Sequence, residues 1–272
     1  MGRRLFCEIS PLTYRISVCR CRAMRHIQNL WRLKNCARQK SETRLPVVVY
    51  EQKSLMRRRL GNVDMLLQEN KVVNLNIAAP RVSGIIIKPG ETFSFWKLVG
   101  PCSARRGYRE GLVITRGRTG RGIGGGMCQF TNLIHWLVLH TPLTIVEHHH
   151  HDGMDLFPDY GRQIPFGTGT SIMYNYLDYR FQNNTDQAYQ LIVYTTEEYL
   201  CGEIRTTAAL PVKYHIVTQN ERFVREGGQV YRTGEVYRTQ IDKATGETIA
   251  RQLIKRNHAR VMYDVSERSA VL

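Results

Sequence analysis

The sequence predicts an α+β fold, in which a central helix led by a glycine loop packs on a mainly antiparallel sheet. The stretch GIGGGMCQFTNLIHWLVLH, residues 122–140, places four glycines before an apolar run of helical length. After Pro80, runs of β-branched and aromatic residues alternate with turn residues, which is typical of strands. A basic, partly helical N-terminal region precedes this core.

The N-terminal part of the chain contains two helical patterns. Within residues 1–45 apolar side chains recur at helical spacing, and Pro46 ends this pattern. VVVYE then predicts a short strand. Residues 51–79 predict a second helical stretch that Gly61 interrupts.

The remaining elements follow from strand and turn signals. GIIIKPGETFSF predicts two strands around a Pro-Gly turn, and GLVITRGRTGRG predicts a strand followed by a glycine turn. A helix is predicted over 127–140, then a strand in LTIVE, and three strands over 171–205 with a turn at 183–186. From residue 211 onward, turns are predicted at Thr233–Gly234 and Thr245–Gly246. The expected domains are 1–60, 61–205 and a β-rich extension, 206–272.

Charge and cysteine content limit the classes of function. The 272 residues include 39 Lys and Arg against 23 Asp and Glu, a formal charge of +16 that favours an anionic partner. Nucleic-acid binding is not predicted, because no RNA-recognition, zinc-finger or helix-turn-helix signature accompanies the charge. Seven cysteines, an odd number spread along a long chain, predict reduced thiols.

The N-terminus predicts neither a signal peptide nor a transmembrane helix. Glu8, Arg15 and Arg20 interrupt its apolar residues, and no apolar run reaches the length of a membrane span. We therefore expect a cytoplasmic location. The segment is basic with interleaved apolar residues, a pattern that is also compatible with peripheral contact with an anionic membrane.

Cys128 is the candidate nucleophile. It follows Gly124, Gly125 and Gly126 at the start of the predicted helix, where unpaired N–H groups and the helix dipole would lower the pKa of a thiol. The glycines would let the backbone approach a ligand closely, and amides near Cys128 and Gln129 would hold an oxyanion. The same layout also suits an anion-binding loop without chemistry.

The run His148–His151 supplies candidate bases. In an extended chain, alternate side chains face the same way, so His149 and His151 would share one face. A histidine beside a low-pKa cysteine is the minimum for thiol catalysis. Alternatively, Cys128, His149 and His151 would bind zinc and leave its fourth coordination position open. Apart from this alternative, no cofactor is predicted. His135, on the helix, is expected to pack in the core.

Four ordered motifs resemble the VanW family, over about residues 60–205. They are PGETFSFWKLVGP (89–101), GIGGGMCQ (122–129), HTPLTIVE (140–147) and LDYRFQNNTD (177–186). This resemblance implies an association with glycopeptide resistance and cell-wall (peptidoglycan) metabolism. Relatives carry Arg-His-x-His after the glutamate that matches Glu147, which maps onto His148, His149 and His151. The resemblance ranks His151 above His149, because the second histidine is the more regular one in shorter relatives.

One position departs from the family pattern. Many relatives carry Asp-Ala-Thr nine residues before the aspartate that matches Asp178, whereas this chain has Gly169 there. If that aspartate orients the histidine, Asp152 or Asp155 would have to replace it.

Three functions remain open from the sequence. The first is a Cys–His acyl-transferase or amide hydrolase, in which Cys128 attacks a cell-wall precursor or peptidoglycan fragment and His151 takes its proton. The second is a binding module, in which the glycine loop and the helix N-terminus hold an anionic group of such a precursor. The third is the Cys/His metal site.

Overall fold

The computed structural model describes residues 5–32, 34–58, 64–115, 118–150, 153–159 and 164–265. It confirms an α+β fold, with helices and mostly antiparallel strands. The helices are α1 Pro11–Arg32, α2 Met65–Val82, α3 Phe95–Val99 and α4 Met127–Leu139. The strands are β1 Val47–Leu55, β2 Ile85–Ile87, β3 Thr92–Ser94, β4 Glu110–Thr115, β5 Arg118–Ile123, β6 Thr144–Glu147, β7 Met154–Asp155, β8 Arg180–Gln182, β9 Tyr189–Thr195, β10 Tyr199–Thr206, β11 Val212–Glu226, β12 Gln229–Asp242 and β13 Thr248–Val261.

The core forms between α4 and the sheet of order β1-β10-β9-β2. Helix α4 is apolar on nearly all sides, and ten of its thirteen residues are buried, as expected for a helix inside a core. Gly202 of β10 permits the close approach of this helix, because a Cβ atom there would lie 2.8 Å from Leu137 Cδ1. The predicted helix over 127–140 is therefore confirmed, and it is the centre of the fold.

The strands divide among four groups rather than one sheet. Besides the core sheet, β3-β8-β6 form a three-stranded sheet, β4-β5 a hairpin, and β11-β12-β13-β7 a second four-stranded sheet. The strand in LTIVE and the three strands over 171–205 are confirmed. The single sheet of the prediction is wrong, because the turn signals do not specify which strands pair.

The C-terminal sheet corrects one predicted turn and confirms another. Strand β12 runs straight through Thr233–Gly234, where a turn was predicted. The hairpin between β11 and β12 instead turns at Gly227 and Gly228, whose φ angles of 55° and 76° fit a two-residue turn. The predicted turn at Thr245–Gly246 connects β12 to β13.

The predicted helix over residues 51–79 is only partly correct. Residues 51–55 belong to β1, which pairs along its length with β10. Their Glu, Gln and Lys residues favour helix, but pairing with β10 outweighs this preference. Helix α2 begins after Asp64, whose side chain accepts a hydrogen bond from the N–H of Leu66, whereas Gly61 lies outside the described residues. The segment predicted as a separate N-terminal region thus supplies an edge strand of the core sheet.

None of the helices in the described ranges combines the length and the apolar composition that a bilayer crossing requires. The expected cytoplasmic location stays a prediction.

Candidate functional site

The three glycines before α4 lie in a tightly packed loop. A Cβ atom on Gly124 would lie 2.3 Å from Cys102 Cβ, and one on Gly125 would lie 2.3 Å from the backbone of Gly111. On Gly126 it would lie 2.2 Å from Lys71 Cγ. Since neighbouring atoms occupy all three positions, packing alone requires glycine there. A direct ligand-binding role for these residues stays a prediction.

The loop nevertheless leaves two amide groups unused. Gly126 is the N-cap of α4, with φ at 104° and no side-chain cap. The N–H groups of Gly126 and Met127 form no hydrogen bond with any residue in the described ranges. The Asn74 side chain fixes the loop from behind, because it donates to the carbonyls of Gly125 and Arg109 at 2.9 and 3.0 Å. The helix therefore presents free donors and a positive dipole end on a rigid support.

The environment of Cys128 raises the pKa of its thiol. Burial is the largest cause, and hydrogen bonds from the N–H of Ile172 and from its own N–H oppose this shift without cancelling it. The sequence predicted a lowered pKa from the position at the helix N-terminus. That prediction is wrong, because the loss of hydration outweighs the effect of the helix end. The Cys128 thiol is protonated at neutral pH.

The amide of Gln129 is fully engaged with β1. Its Nε2 donates to Ser54 Oγ and to the carbonyl of Leu55, both at 2.8 Å. These two bonds use both hydrogens of the amide group. The predicted role of Gln129 as an oxyanion donor conflicts with this geometry, and the residue instead ties α4 to the end of β1.

Lys71 is a residue of the site that the sequence interpretation missed. It lies on α2, is only 7% exposed, and its aliphatic stem packs against Gly126. Burial, and then the charge of Arg58, lower the pKa of Lys71 to about 7, and its Nζ donates to Gln68 Oε1 at 2.7 Å. A sequence signal existed, because Lys71 follows Leu67 and precedes Leu75 at four-residue intervals, on the buried face of α2. We call residues 124–129 together with Lys71 the glycine-loop site.

The irregular segment 168–172 contacts both the glycine-loop site and the histidine run. On one side, the N–H of Thr170 donates to Asn132 Oδ1 at 2.6 Å, and Ile172 donates to the Cys128 sulfur. On the other side, the N–H of Ser171 donates to the carbonyl of His149 at 2.7 Å. The segment thus joins the two parts that the sequence predicted to form one site.

No imidazole in the described part of the chain hydrogen-bonds to the Cys128 sulfur. His149, one of the two predicted bases, is described, and its Nε2 donates to Glu147 Oε1 at 3.1 Å. His151 lies outside the described residues, so its role as the base stays a prediction. Within those residues no group of three His, Cys, Asp or Glu side chains could hold a metal ion, and the zinc alternative also depends on His151.

His148, His150 and His135 pack together on the other face of the run. The ring centroids are 4.0 Å apart for His148 and His150, and 4.1 Å apart for His135 and His148, as the alternation of side chains predicts. His135 is buried and hydrogen-bonds to Tyr179 Oη at 3.0 Å, which confirms its packing in the core. Burial lowers the pKa of His148 to about 3 and that of His135 well below its usual value. His148 and His135 are therefore neutral at physiological pH.

Gly169 supplies a backbone group at the position where the family resemblance implies an aspartate. His148 Nε2 donates to the Gly169 carbonyl at 3.2 Å, so main chain orients this imidazole. Of the two predicted substitutes, Asp155 is engaged elsewhere. Asp155 accepts a hydrogen bond from Tyr263 at 2.7 Å and pairs with Arg232 of the C-terminal sheet, and Asp152 lies outside the described residues.

Glu147 and Asp178 form a carboxylate cluster with Arg25 and Arg180. Asp178 accepts hydrogen bonds from Ser94 Oγ at 2.6 Å and from Arg180 Nε at 2.7 Å, and also from two backbone amides. Burial would raise the pKa of Glu147, but hydrogen bonds from Arg25, the Asp178 backbone and His149 hold it below its usual value. All of these charges are paired, and Arg25 docks α1 onto the core.

A cleft of about 470 Å³ lies at the opposite end of α4, between β1 and β11. It is roughly 18 Å from Cys128, given the 1.5 Å rise per helical residue. His140, which begins the motif HTPLTIVE, stacks on Tyr50 at 3.6 Å, and burial lowers the pKa of His140 to about 4. Besides Trp136 and valines, the lining includes the basic residues Lys213, His215 and Lys243, so the cleft combines apolar contact surface with cationic side chains, and none of its lining residues is a carboxylate.

Comparison with known proteins identifies the family. The family described as VanW like protein matches residues 70–205. The protein named vancomycin B-type resistance protein VanW, from Enterococcus faecalis (strain ATCC 700802 / V583), is 35% identical over 226 residues, which cover 83% of this chain and 82% of that protein. The uncharacterized protein YoaR of Bacillus subtilis (strain 168) is 29% identical over 117 residues, 42% of this chain and 36% of YoaR. No solved structure matches. This chain belongs to the VanW family.

Proposed function

We propose that this protein acts in glycopeptide resistance as a binding module, which holds the carboxylate end of a cell-wall peptide at the glycine-loop site. The name of the Enterococcus faecalis relative supports the biological setting. The site itself supports the choice of ligand, because it combines two amides that lack an acceptor in the described ranges with a buried lysine.

A carboxylate at the N-terminus of α4 would accept hydrogen bonds from the free amides of Gly126 and Met127. The helix dipole adds to the attraction. Lys71 packs directly against Gly126, and a nearby anion would raise its pKa from about 7, so the ligand would bind together with a proton. This combination of free amides and a half-protonated lysine is the observation that carries the proposal.

Binding without covalent chemistry fits the state of Cys128 better than nucleophilic attack does. The pKa of its thiol is raised, no imidazole in the described ranges hydrogen-bonds to it, and Gln129 donates to β1. A nucleophile requires a base within hydrogen-bond reach and donors aimed at the oxyanion.

Calorimetric titration with a synthetic stem peptide tests the proposal. We expect the peptide with a free C-terminal carboxylate to bind, and the same peptide with a C-terminal amide to bind at least about tenfold more weakly, given about 1.5 to 3 kcal/mol for a charged hydrogen bond. Lys71→Met should reduce binding of the carboxylate form, whereas Lys88→Met, at an exposed lysine, should not. Equal binding of the two peptides, or binding of neither, would overturn the proposal.

Thiol catalysis is the second candidate, and one observation favours it. The N–H groups of Ile172 and Cys128 point at the Cys128 sulfur and would stabilise a thiolate once it forms. In this scheme Cys128 attacks a carbonyl of the precursor and His151 takes the thiol proton, as in an amide hydrolase or acyl-transferase.

Alkylation kinetics separate the two candidates. With iodoacetamide at pH 6, the peptide containing Cys128 is followed by mass spectrometry and compared with the one containing exposed Cys19. The binding proposal predicts slower alkylation at Cys128, because its pKa is raised. Faster alkylation at Cys128 would favour catalysis instead.

A further inference from the structure

Helix α1 has one face that packs on the core and another that is exposed. Its inward face docks on the core through Arg25, which pairs with Glu147, and through Asn29, whose Oδ1 accepts from Arg180 Nη2 at 2.7 Å. Asn175 Nδ2 also donates to the carbonyl of Arg22 at 3.2 Å. These contacts fix the rotation of the helix about its axis and so define which side chains face outward.

The outward face carries an apolar stripe. At 3.6 residues per turn, the half-buried positions 18, 21, 25 and 29 share one side of α1, and the stripe lies opposite them. The stripe consists of Leu12, Ile16, Cys19, Ala23, Ile27 and Leu30. Its large members are strongly exposed: Leu12 by 67%, Ile16 by 49%, Ile27 by 60% and Leu30 by 73%. None of the residues in the described ranges covers this stripe.

Arginines border the stripe on both sides. Arg15 and Arg22 lie along one edge and Arg20 along the other, and α1 contains no aspartate or glutamate. At its C-terminal end Trp31 is 70% exposed, with Lys34 Nζ 5.0 Å from the ring centroid. An apolar stripe with cationic borders and a terminal tryptophan is the composition of helices that lie in the interface of an anionic bilayer.

We propose that α1 binds an anionic lipid surface, with the stripe inserted among the acyl chains and the arginines on the headgroups. Charge complementarity selects this occupant. A second copy of α1 would bring arginines against arginines, and it has no acidic side chain to pair with them. The inference stands apart from the function proposed for the glycine-loop site, since it uses none of its residues.

The docking geometry gives the interaction a consequence for the rest of the protein. Because Arg25 and Asn29 hold α1 against the carboxylate cluster, a helix lying in the interface would place the core roughly one helix diameter, about 10 Å, above the lipid. The helix would thus fix the orientation of the whole fold relative to the membrane.

Co-sedimentation with vesicles tests this inference on the full chain. We expect at least about tenfold more binding to vesicles of phosphatidylglycerol and phosphatidylcholine in equal parts than to phosphatidylcholine alone, and loss of this preference in high salt. The variant Ile27→Ser with Leu30→Ser should lower binding about tenfold. The matched control is Ile249→Ser with Leu253→Ser, exposed apolar residues of β13, which should bind like the unaltered protein.

Two readouts decide the outcome. Trp31 fluorescence should shift to shorter wavelength on phosphatidylglycerol vesicles, while thermal unfolding of the Ile27→Ser, Leu30→Ser variant should match that of the unaltered protein. Equal binding to both kinds of vesicle, or full binding by that variant, would overturn the inference. So would sedimentation equilibrium showing a dimer that only this variant dissociates, with no binding to either vesicle.

Discussion

The glycine-loop site and the carboxylate cluster differ in how fully their polar groups are satisfied. In the carboxylate cluster, Asp178 accepts from two side chains and two amides, and Glu147 pairs with both Arg25 and Arg180. In the glycine-loop site, two amides lack an acceptor in the described ranges, and burial opposes the charged forms of both Lys71 and Cys128.

This difference assigns different tasks to residues of the same chemical type. A saturated cluster has no capacity left for a ligand, and its charges stabilise the fold and dock α1. An under-partnered site can gain hydrogen bonds when an anion enters, so it is the better candidate for binding. The acidic and basic residues of a motif can therefore be assigned to binding or to stability only from their hydrogen-bond and ion-pair partners.

The largest expected effect comes from opening the saturated cluster. Asp178→Ala would leave Arg180, only 4% exposed, without its closest partner. We expect a loss of about 3 to 5 kcal/mol in the free energy of unfolding, measured by urea denaturation. Glu69→Ala, which breaks the exposed ion pair with Arg57, is the control and should leave the free energy of unfolding nearly unchanged. Similar losses for both variants would erase the distinction between buried and exposed pairs.

Removing the buried amine from the glycine-loop site should stabilise the protein. The folded pKa of Lys71, about 7, lies below its ordinary 10.5, so the unfolded state binds more protons between these values and stability rises with pH across that window. Lys71→Met should therefore raise the free energy of unfolding at pH 7 by about 4 kcal/mol. It should also flatten the rise between pH 7 and 10. A destabilised variant would show that Lys71 is not strained.

The lowered pKa of His148 predicts a loss of stability in mild acid. The folded pKa of His148 is about 3 against an ordinary 6.5, so the unfolded state takes up protons as the pH falls below 6.5. This residue alone should lower stability by about 1 kcal/mol between pH 6.5 and 5.5. Urea denaturation across this range should show a smaller slope for His148→Gln. An unchanged slope would mean that His148 is protonated in the folded state.

Introducing at position 169 the aspartate that the family resemblance implies should have the smallest effect. A Cβ atom on Gly169 would meet only Asn132 Oδ1, at 3.9 Å, and the backbone there does not require glycine. Gly169→Asp should thus change the free energy of unfolding by less than about 1 kcal/mol. The new carboxylate should raise the pKa of His148, followed by NMR titration, whereas Gly169→Asn should not. If both variants gave the same pKa for His148, the new carboxylate would not lie near this imidazole.

The sequence predicted the elements of the fold better than their assembly. The glycine loop, α4 and the strand in LTIVE follow from local patterns, because turn residues and apolar spacing act over a few positions. Strand β1 was partly mistaken for helix, since its partner β10 lies about 150 residues further along the chain and leaves no local signal. The Gly227–Gly228 turn was not predicted, although two consecutive glycines are a local signal for a hairpin turn.

The candidate site was predicted only in part. The position of Cys128 at the start of α4 follows from its motif, but the direction of its pKa shift depends on burial by segment 168–172. The engagement of Gln129 with β1 depends on the same long-range packing. Lys71 was accessible from helical spacing, because its place between Leu67 and Leu75 puts a cation on a buried face.

Proton uptake on binding tests most directly whether the glycine-loop site receives an anion beside Lys71. Titration of the carboxylate peptide at pH 7, in two buffers of different ionisation enthalpy, measures the protons taken up per peptide bound. Since the pKa of Lys71 is about 7, we expect uptake of about half a proton, and none in Lys71→Met. Binding with no proton uptake, or with uptake that persists in Lys71→Met, would contradict this role of the site.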